Sequence, residues 1–220
     1  TQIVTMRRHD PQFCAMTNCF DYFVPDGMPL IWCLNSRGAK LNDRVYGPTF
    51  MKQCISATPV PFKHYLLGGS AECGEKLRNA IGRWNPHISV VGSFHGRCEP
   101  DGKLEGDFEQ SVLREINELS PDFIWIGFGT PKQQAWIHHH KSLIRRGILM
   151  SVGFAFDVNA GTKKDAPLWM QRIGLTWIHR LFSEPRRLLS RYLRYNSLFL
   201  FYLMHDWLMR KKPQKRENER

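Results

Sequence analysis

Asp26 stands in a Pro25-Asp26-Gly27 turn, and Arg44 lies in the run Asp43-Arg44-Val45-Tyr46-Gly47. Taken singly, an aspartate between Pro and Gly is most often a turn former, because Pro fixes φ and Gly tolerates positive φ. Two glycine turns change its context. Gly68-Gly69-Ser70 follows the apolar Tyr65-Leu66-Leu67, and Gly127-Phe128-Gly129-Thr130-Pro131-Lys132-Gln133 follows the apolar run Phe123 to Ile126. Glycines at strand ends let a ligand approach the backbone, and a helix opened by proline presents unpaired N–H groups to an anion. A fourth turn, Phe156-Asp157 with Gly161, closes another apolar run. In combination such turns offer N–H donors to a diphosphate, Arg44 offers a counter-charge, and a lone aspartate offers a general base. Gly-x-Gly alone is a weak signal, so the surrounding elements have to support the reading.

Those elements alternate. Thr1 to Phe23 reads as helical, and Leu30 to Leu34 reads as a short buried strand. A helix from about Thr49 to Ser56 precedes the strand Tyr65 to Leu67, and a helix over Ala71 to Trp84 follows the first glycine turn. Ile88 to Gly92 is the next strand, and Phe108, Val112, Ile116 and Leu119 keep helical spacing before the strand Phe123 to Ile126. The helix beginning near Pro131 is expected to run to about Arg146, and Ile148 to Phe156 reads as the last strand, ending at Asp157. Alternating strands and helices predict an α/β fold, a Rossmann-like three-layer domain with a largely parallel sheet over residues 1–162.

From Lys163 onward strands disappear, and a basic helical appendage over 163–220 is predicted. Trp169, Ile173, Trp177 and Leu181 recur every four residues and predict one helix with an aromatic face, interrupted at Glu184-Pro185. A further helix from about Arg186 places Arg187, Arg191 and Arg194 on one face, with Arg180 near them, beside the apolar stretch Leu198 to Leu203. Residues 163–220 carry fourteen Lys and Arg against five Asp and Glu, a surplus of nine out of the chain's net +11. The composition fits either a segment gripping phosphate head groups on a bilayer or a solvated charged face.

With 220 residues and 42% hydrophobic content, the chain is neither disordered nor fibrous and can bury a core. Its longest apolar run, Leu198 to Met204, is far below the ~20 residues that cross a bilayer. The six cysteines form no CxxC pair and read as reduced, mostly buried thiols of a cytoplasmic protein. His138-His139-His140 points in successive directions on a helix and reads as polar surface, not as a metal site.

Taken together, Pro25-Asp26-Gly27, Asp43 to Gly47, Leu67-Gly68-Gly69, Gly127 to Gln133, Gly153-Phe154-Ala155-Phe156-Asp157 with Ala160-Gly161, Ala166-Pro167, and Arg180-Leu181 with Glu184 to Arg187 resemble the WecG/TagA/CpsF glycosyltransferases, in order and over nearly the whole chain. The resemblance implies an inverting enzyme without metal or cofactor. It would move a sugar of the N-acetylmannosamine type from UDP to a polyprenyl-pyrophosphate-linked sugar, peripherally bound at the inner face of the cytoplasmic membrane. It further implies that Asp26 is the general base and that Arg44 lies near the sugar or diphosphate. Gln133 would contact substrate alongside the turns of Gly68, Gly69, Gly127 and Gly129, and Arg180, Arg187 and Arg191 would hold the lipid pyrophosphate. Asp157 is our own assignment, as an acceptor for ribose hydroxyls or the uracil N–H. Homo-oligomerisation stays open, and nucleic acid is not needed to explain the basic segment.

Two departures from the family pattern stand out. Gln134 occupies a position where the family usually has glutamate, which leaves the sugar preference open. The family's Thr-x-Asn motif precedes its first helix, whereas Thr1 is expected inside that helix, so the chain is expected to lack an N-terminal strand and to bind nucleotide weakly or lack full activity. Two rival readings compete. A non-enzymatic basic protein would bind anionic lipid or nucleic acid through residues 163–220. A nicotinamide-dependent dehydrogenase fares worse, because no strand-linked Gly-x-Gly-x-x-Gly is present.

Overall fold

The computed structural model describes residues 1–210. The basic residues Lys211, Lys212, Lys215, Arg216 and Arg220 counted above lie outside the described residues. Four short strands carry the site: β1 (Lys63–Leu67), β2 (Ser89–Phe94), β3 (Phe123–Ile126) and β4 (Ile148–Ser151), paired in the order β2-β1-β3-β4 with every pair parallel. The chain leaves β1 for β2 on one side, then passes back over β1 to reach β3. The carboxyl ends of β1 and β3 therefore feed loops in opposite directions, which opens a crevice between them.

The helices in chain order are α1 (Gln2–His9), α2 (Pro11–Thr17), α3 (Met28–Asn35), α4 (Gly47–Ser56), α5 (Ala71–Trp84), α6 (Glu109–Leu119), α7 (Lys132–His140), α8 (Ala155–Asn159), α9 (Leu168–Arg172), α10 (Thr176–Ser183) and α11 (Pro185–Arg210). Side chains on β1 and β3 alternate between two cores, as the period of two along a strand requires. Tyr65, Leu67, Ile124 and Ile126 pack with Val112 and Ile116 of α6 and Trp136 of α7. Leu66 and Trp125 face the other way, onto Met51 and Ile55 of α4, Leu77 and Ile81 of α5, and Phe156 of α8. The three-layer α/β reading therefore stands.

Several local expectations do not. Leu30 to Leu34 is helical, within α3, where Pro29 sits in the first turn and supplies a start signal. The first helical stretch is broken at Asp10, whose carboxylate accepts from the N–H groups of Gln12 and Phe13 and so caps α2. Thr1 occupies the N-cap position of α1, just outside the helix. The last strand ends at Ser151, because Gly153 turns the chain at φ +51 into α8. Asp157 is accordingly a helical residue. The helix after Pro131 stops at His140 and passes through a 3-10 turn, Lys141–Leu143, short of Arg146. The aromatic helix expected from Trp169 to Leu181 is two helices, since Gly174 adopts φ +76 between α9 and α10. His140 is buried rather than on the surface, with Nδ1 on the Trp136 carbonyl and Nε2 2.7 Å from Glu109. Of the six free cysteines, Cys73 and Cys98 are buried and the other four are half-buried.

At 26 residues, α11 is about 39 Å long. It packs along α10 and reaches α1, where the Asp206 carboxylate takes Arg8 at 2.8 and 2.9 Å and Arg37 at 3.4 Å. No helix of the described residues is long and apolar enough to cross a membrane.

Candidate functional site

The turn bearing Asp26 is tied to the Arg44 segment by a backbone bond, Val45 N–H to Pro25 O at 2.8 Å. The first residue of the next helix completes the pairing, because the Gly47 N–H donates to the Asp26 carboxylate. A Cβ on Gly47 would make ordinary contact with Val152 O at 3.6 Å and Ala155 at 3.8 Å, so α4 starts against the chain just after β4. Asp26 is thereby set at the sheet's C-terminal edge.

Asp26 is exposed in its turn, with protein atoms packed about its carboxylate. That crowding is the largest influence on its pKa and pushes it up to about 6, against the downward pull of Arg44, the Thr1 ammonium and Arg180. No guanidinium nitrogen of Arg44 is ion-paired with a carboxylate among the described residues, although its backbone N–H donates to Asp43 Oδ1 at 2.7 Å. Its guanidinium lies over the Tyr46 ring at 4.0 Å and donates to Gln171 Oε1 at 3.1 Å.

The second glycine turn stands against Gly153, where an added Cβ would lie 3.5 Å from Gly129 Cα. Gly129 adopts φ +80 with open space where a side chain would go, so glycine serves the conformation and leaves the turn's face bare. Gln133 is buried, and its Oε1 accepts from the Gly129 N–H at 3.0 Å. Gly68 and Gly127 serve packing instead. A Cβ at Gly127 would lie 2.6 Å from Phe156, and one at Gly68 2.9 Å from Phe128. Gly69 and Gly127 also border a cavity of about 370 Å³ at the N-terminus of α5, with Ser70, His95, Arg97 and Lys132 among its polar walls. His95 lies against the start of α5, where a Cβ on Gly74 would come 1.8 Å from its ring.

The appendage approaches from the other side. Arg180 stacks on Phe154 at 4.0 Å, directly after the Gly153 turn, and Arg191 reaches toward Thr130 O at 3.4 Å. Arg191 is held below the usual arginine range, first by burial and then by the neighbouring charges of Arg187 and Arg180. The charges of Arg187 and Arg180 are thus both felt at Arg191, and that of Arg180 is also felt at the Asp26 carboxylate. Glu184 binds both Lys163 and Arg187, and those two cations outweigh burial to hold its carboxyl low. Asp157 is engaged inside the fold, with Oδ1 accepting from Thr162 at 3.2 Å and Oδ2 3.6 Å from Lys163.

A match to the family described as "Glycosyl transferase WecG/TagA/CpsF" extends over residues 1–213. The chain belongs to this glycosyl transferase family. Curated relatives named N-acetylglucosaminyldiphosphoundecaprenol N-acetyl-beta-D-mannosaminyltransferase, from Staphylococcus aureus strains MRSA252 and MW2, are each 29% identical over 188 residues. The alignments cover 85% of this chain and 71% of each relative.

Of the family-derived residues, Arg44 and Arg180 stand near Asp26, Arg187 and Arg180 near Arg191, which reaches the turn of Gly129 and Gln133, while Gly69 and Gly127 line the cavity and Asp157 is held by Thr162 and Lys163. Sequence reasoning missed Gln171 and Asp165, which bond to Arg44 and Tyr46. It also missed His95, Arg97 and Lys132 as cavity walls, although the glycine turn before them marks the same strand ends. Among the described residues no group of three or more His, Cys, Asp or Glu stands together as a metal site.

Proposed function

We propose that this glycosyl transferase moves a sugar of the N-acetylmannosamine type from UDP to a polyprenyl-diphosphate-linked acceptor sugar, with inversion and without a metal. One observation carries the reading: the Asp26 turn is bonded to the segment bearing Arg44, whose guanidinium is paired with no carboxylate among the described residues, and Arg180 stands near enough for its charge to reach the same carboxylate. As general base, Asp26 takes the proton of the acceptor hydroxyl while that oxygen bonds to the anomeric carbon. The anomeric carbon–oxygen bond to phosphate breaks on the opposite face, and the pair of electrons leaves with UDP. Arg44 offsets the charge on the departing diphosphate, a task a metal ion performs in other transferases.

The cavity at the N-terminus of α5 is assigned to the UDP moiety, since Arg97, Lys132 and helix N–H groups suit phosphate. Gly68, Gly69 and Gly127 line its approach, and Asp157 is assigned to the nucleoside end, where ligand hydroxyls would replace Thr162 and Lys163. The relatives' name specifies a diphosphoundecaprenol-linked N-acetylglucosamine acceptor, and a diphosphate of that kind suits Arg180, Arg187 and Arg191. Leu168, Trp169, Ile173, Phe182, Leu193 and Leu200 are exposed on α9 to α11 and suit contact with the cytoplasmic face of a membrane.

The test is transfer from a panel of UDP-sugars, UDP-N-acetylmannosamine included, to a short-chain lipid-diphosphate N-acetylglucosamine. A disaccharide-lipid product of inverted configuration is expected. Stabilisation by a DNA oligomer, with no product and no UDP binding, would overturn the reading.

A further inference from the structure

We infer that Gln171, oriented by Asp165, is the positioning residue for Arg44, so that the segment after Lys163 fixes the reach of the arginine that meets the leaving diphosphate. The inference rests on the function proposed for Arg44 and names a residue outside the motifs from which that function was read.

The bonds leave Gln171 one orientation. Its Nε2 donates twice, to Asp165 Oδ2 at 3.1 Å and to Ala166 O at 2.8 Å. Both partners are acceptors, so a flipped amide would set oxygen against a carboxylate and a carbonyl. Oε1 must therefore face outward, and there it accepts from Arg44 Nη2 at 3.1 Å. Asp165 is fixed in turn, because its Oδ1 accepts from the Tyr46 hydroxyl and from the Ala166 N–H at 2.7 Å. Burial and then Asp165 itself keep the Tyr46 proton in place well above the usual phenol range. The same Tyr46 ring carries the Arg44 guanidinium on its face. Arg44 is thus held from two sides, by a ring below and an amide at one edge, and both supports converge on Asp165.

The chemistry of the connector matters. A carboxylate at position 171 would pair with Arg44 and neutralise it before substrate arrives. An amide oxygen orients the guanidinium and leaves its charge, and its other N–H groups, for an anion. Gln171 lies 127 residues from Arg44 and beyond Lys163, so docking of the C-terminal segment and placement of Arg44 are one event.

Two variants of the full chain test this: Gln171→Met, which keeps length and removes the bonds, and Asp165→Asn, which touches neither Arg44 nor substrate. In Asp165→Asn an amide replaces the carboxylate and weakens the bias that turns Oε1 toward Arg44, leaving Ala166 O as the remaining acceptor. Both variants should lower kcat by ~10- to 100-fold, with vesicle binding unchanged. On an Arg44→Ala background the same substitutions should change kcat by less than about twofold, because the coupled partner is already gone. Side-chain NMR of arginine-labelled protein should show the restrained Arg44 guanidinium signals of the wild type averaging in both variants. Unchanged Arg44 signals would overturn the inference whatever the turnover, as would an undiminished kcat or an equal loss on the Arg44→Ala background. A wild type that turns nothing over sinks the transferase reading instead, and the NMR comparison still decides the role of Gln171.

Discussion

The side-chain oxygen of Gln133 accepts a hydrogen bond from the backbone N–H of Gly129, four residues earlier, at 3.0 Å. Its oxygen is thus engaged in shaping the glycine turn, with one lone pair and the amide nitrogen left for a ligand. Gln133→Glu keeps an acceptor for Gly129 and removes the donor. Gln133→Ala removes both and strands a backbone N–H at a cost of about 1–3 kcal/mol. Steady-state kinetics separate the two roles. If the turn is the main role, Gln133→Ala should lose roughly 10- to 100-fold in kcat/KM and Gln133→Glu much less. Equal losses would assign the residue to substrate.

That pair also shows what the sequence could convey. The strand Phe123 to Ile126 and the helix Ala71 to Trp84 were legible to the residue, because apolar runs and caps are local signals. The α3 helix was not, since Leu30 to Leu34 is apolar on every side and too short for a period to show; only Pro29 hinted at a helix start. Gly153 and Gly174 ended elements that apolar pattern alone had extended. The cleft was legible where motif residues carry it, as with Asp26 and Arg44. It was not legible where a contact joins distant stretches without a motif, as with Gln171 and Arg44, or where a family residue turns inward, as Gln133 does.

Asp26 carries a prediction with opposite signs for activity and stability. Its carboxyl holds a proton more tightly in the folded chain, with a pKa of about 6 against an ordinary 3.8. The folded state therefore binds more protons than the unfolded state between those values, and this residue's contribution to stability declines as pH rises through that window. As a base it must be ionised, so kcat/KM should rise with pH and level off above about 6. Asp26→Asn should abolish that limb and turnover with it, leave UDP affinity nearly intact, and raise the melting temperature at pH 7. A lowered melting temperature together with lost UDP binding would mean that the carboxylate holds the turn together.

Leu168 and Phe182 are 71% and 81% exposed, so removing either costs the fold almost nothing. If they insert into a bilayer, each gives up about 1.5–3 kcal/mol of transfer free energy when replaced by serine. Leu168→Ser and Phe182→Ser should therefore each weaken binding to anionic vesicles about tenfold or more, with an unchanged melting temperature and unchanged turnover of a soluble short-chain acceptor. Vesicle binding equal to the wild type would leave this face without a membrane role.

His64 gives a prediction free of any assumption about catalysis. It is buried in the sheet, where its Nδ1 accepts from Trp125 Nε1 at 3.0 Å and its ring stacks on Phe123. Burial lowers its pKa to about 4, against a small upward pull from Asp122. The unfolded chain takes up the proton first, near 6.5, so stability is full above that value and falls as pH drops toward 4. The loss attributable to this one residue is at most on the order of 3 kcal/mol. Urea titrations at pH 7 and pH 5 should show a pH-dependent drop in the wild type that shrinks in His64→Gln, even though that variant is less stable at pH 7 for want of the ring. An equal drop in both would place the acid sensitivity elsewhere in the fold.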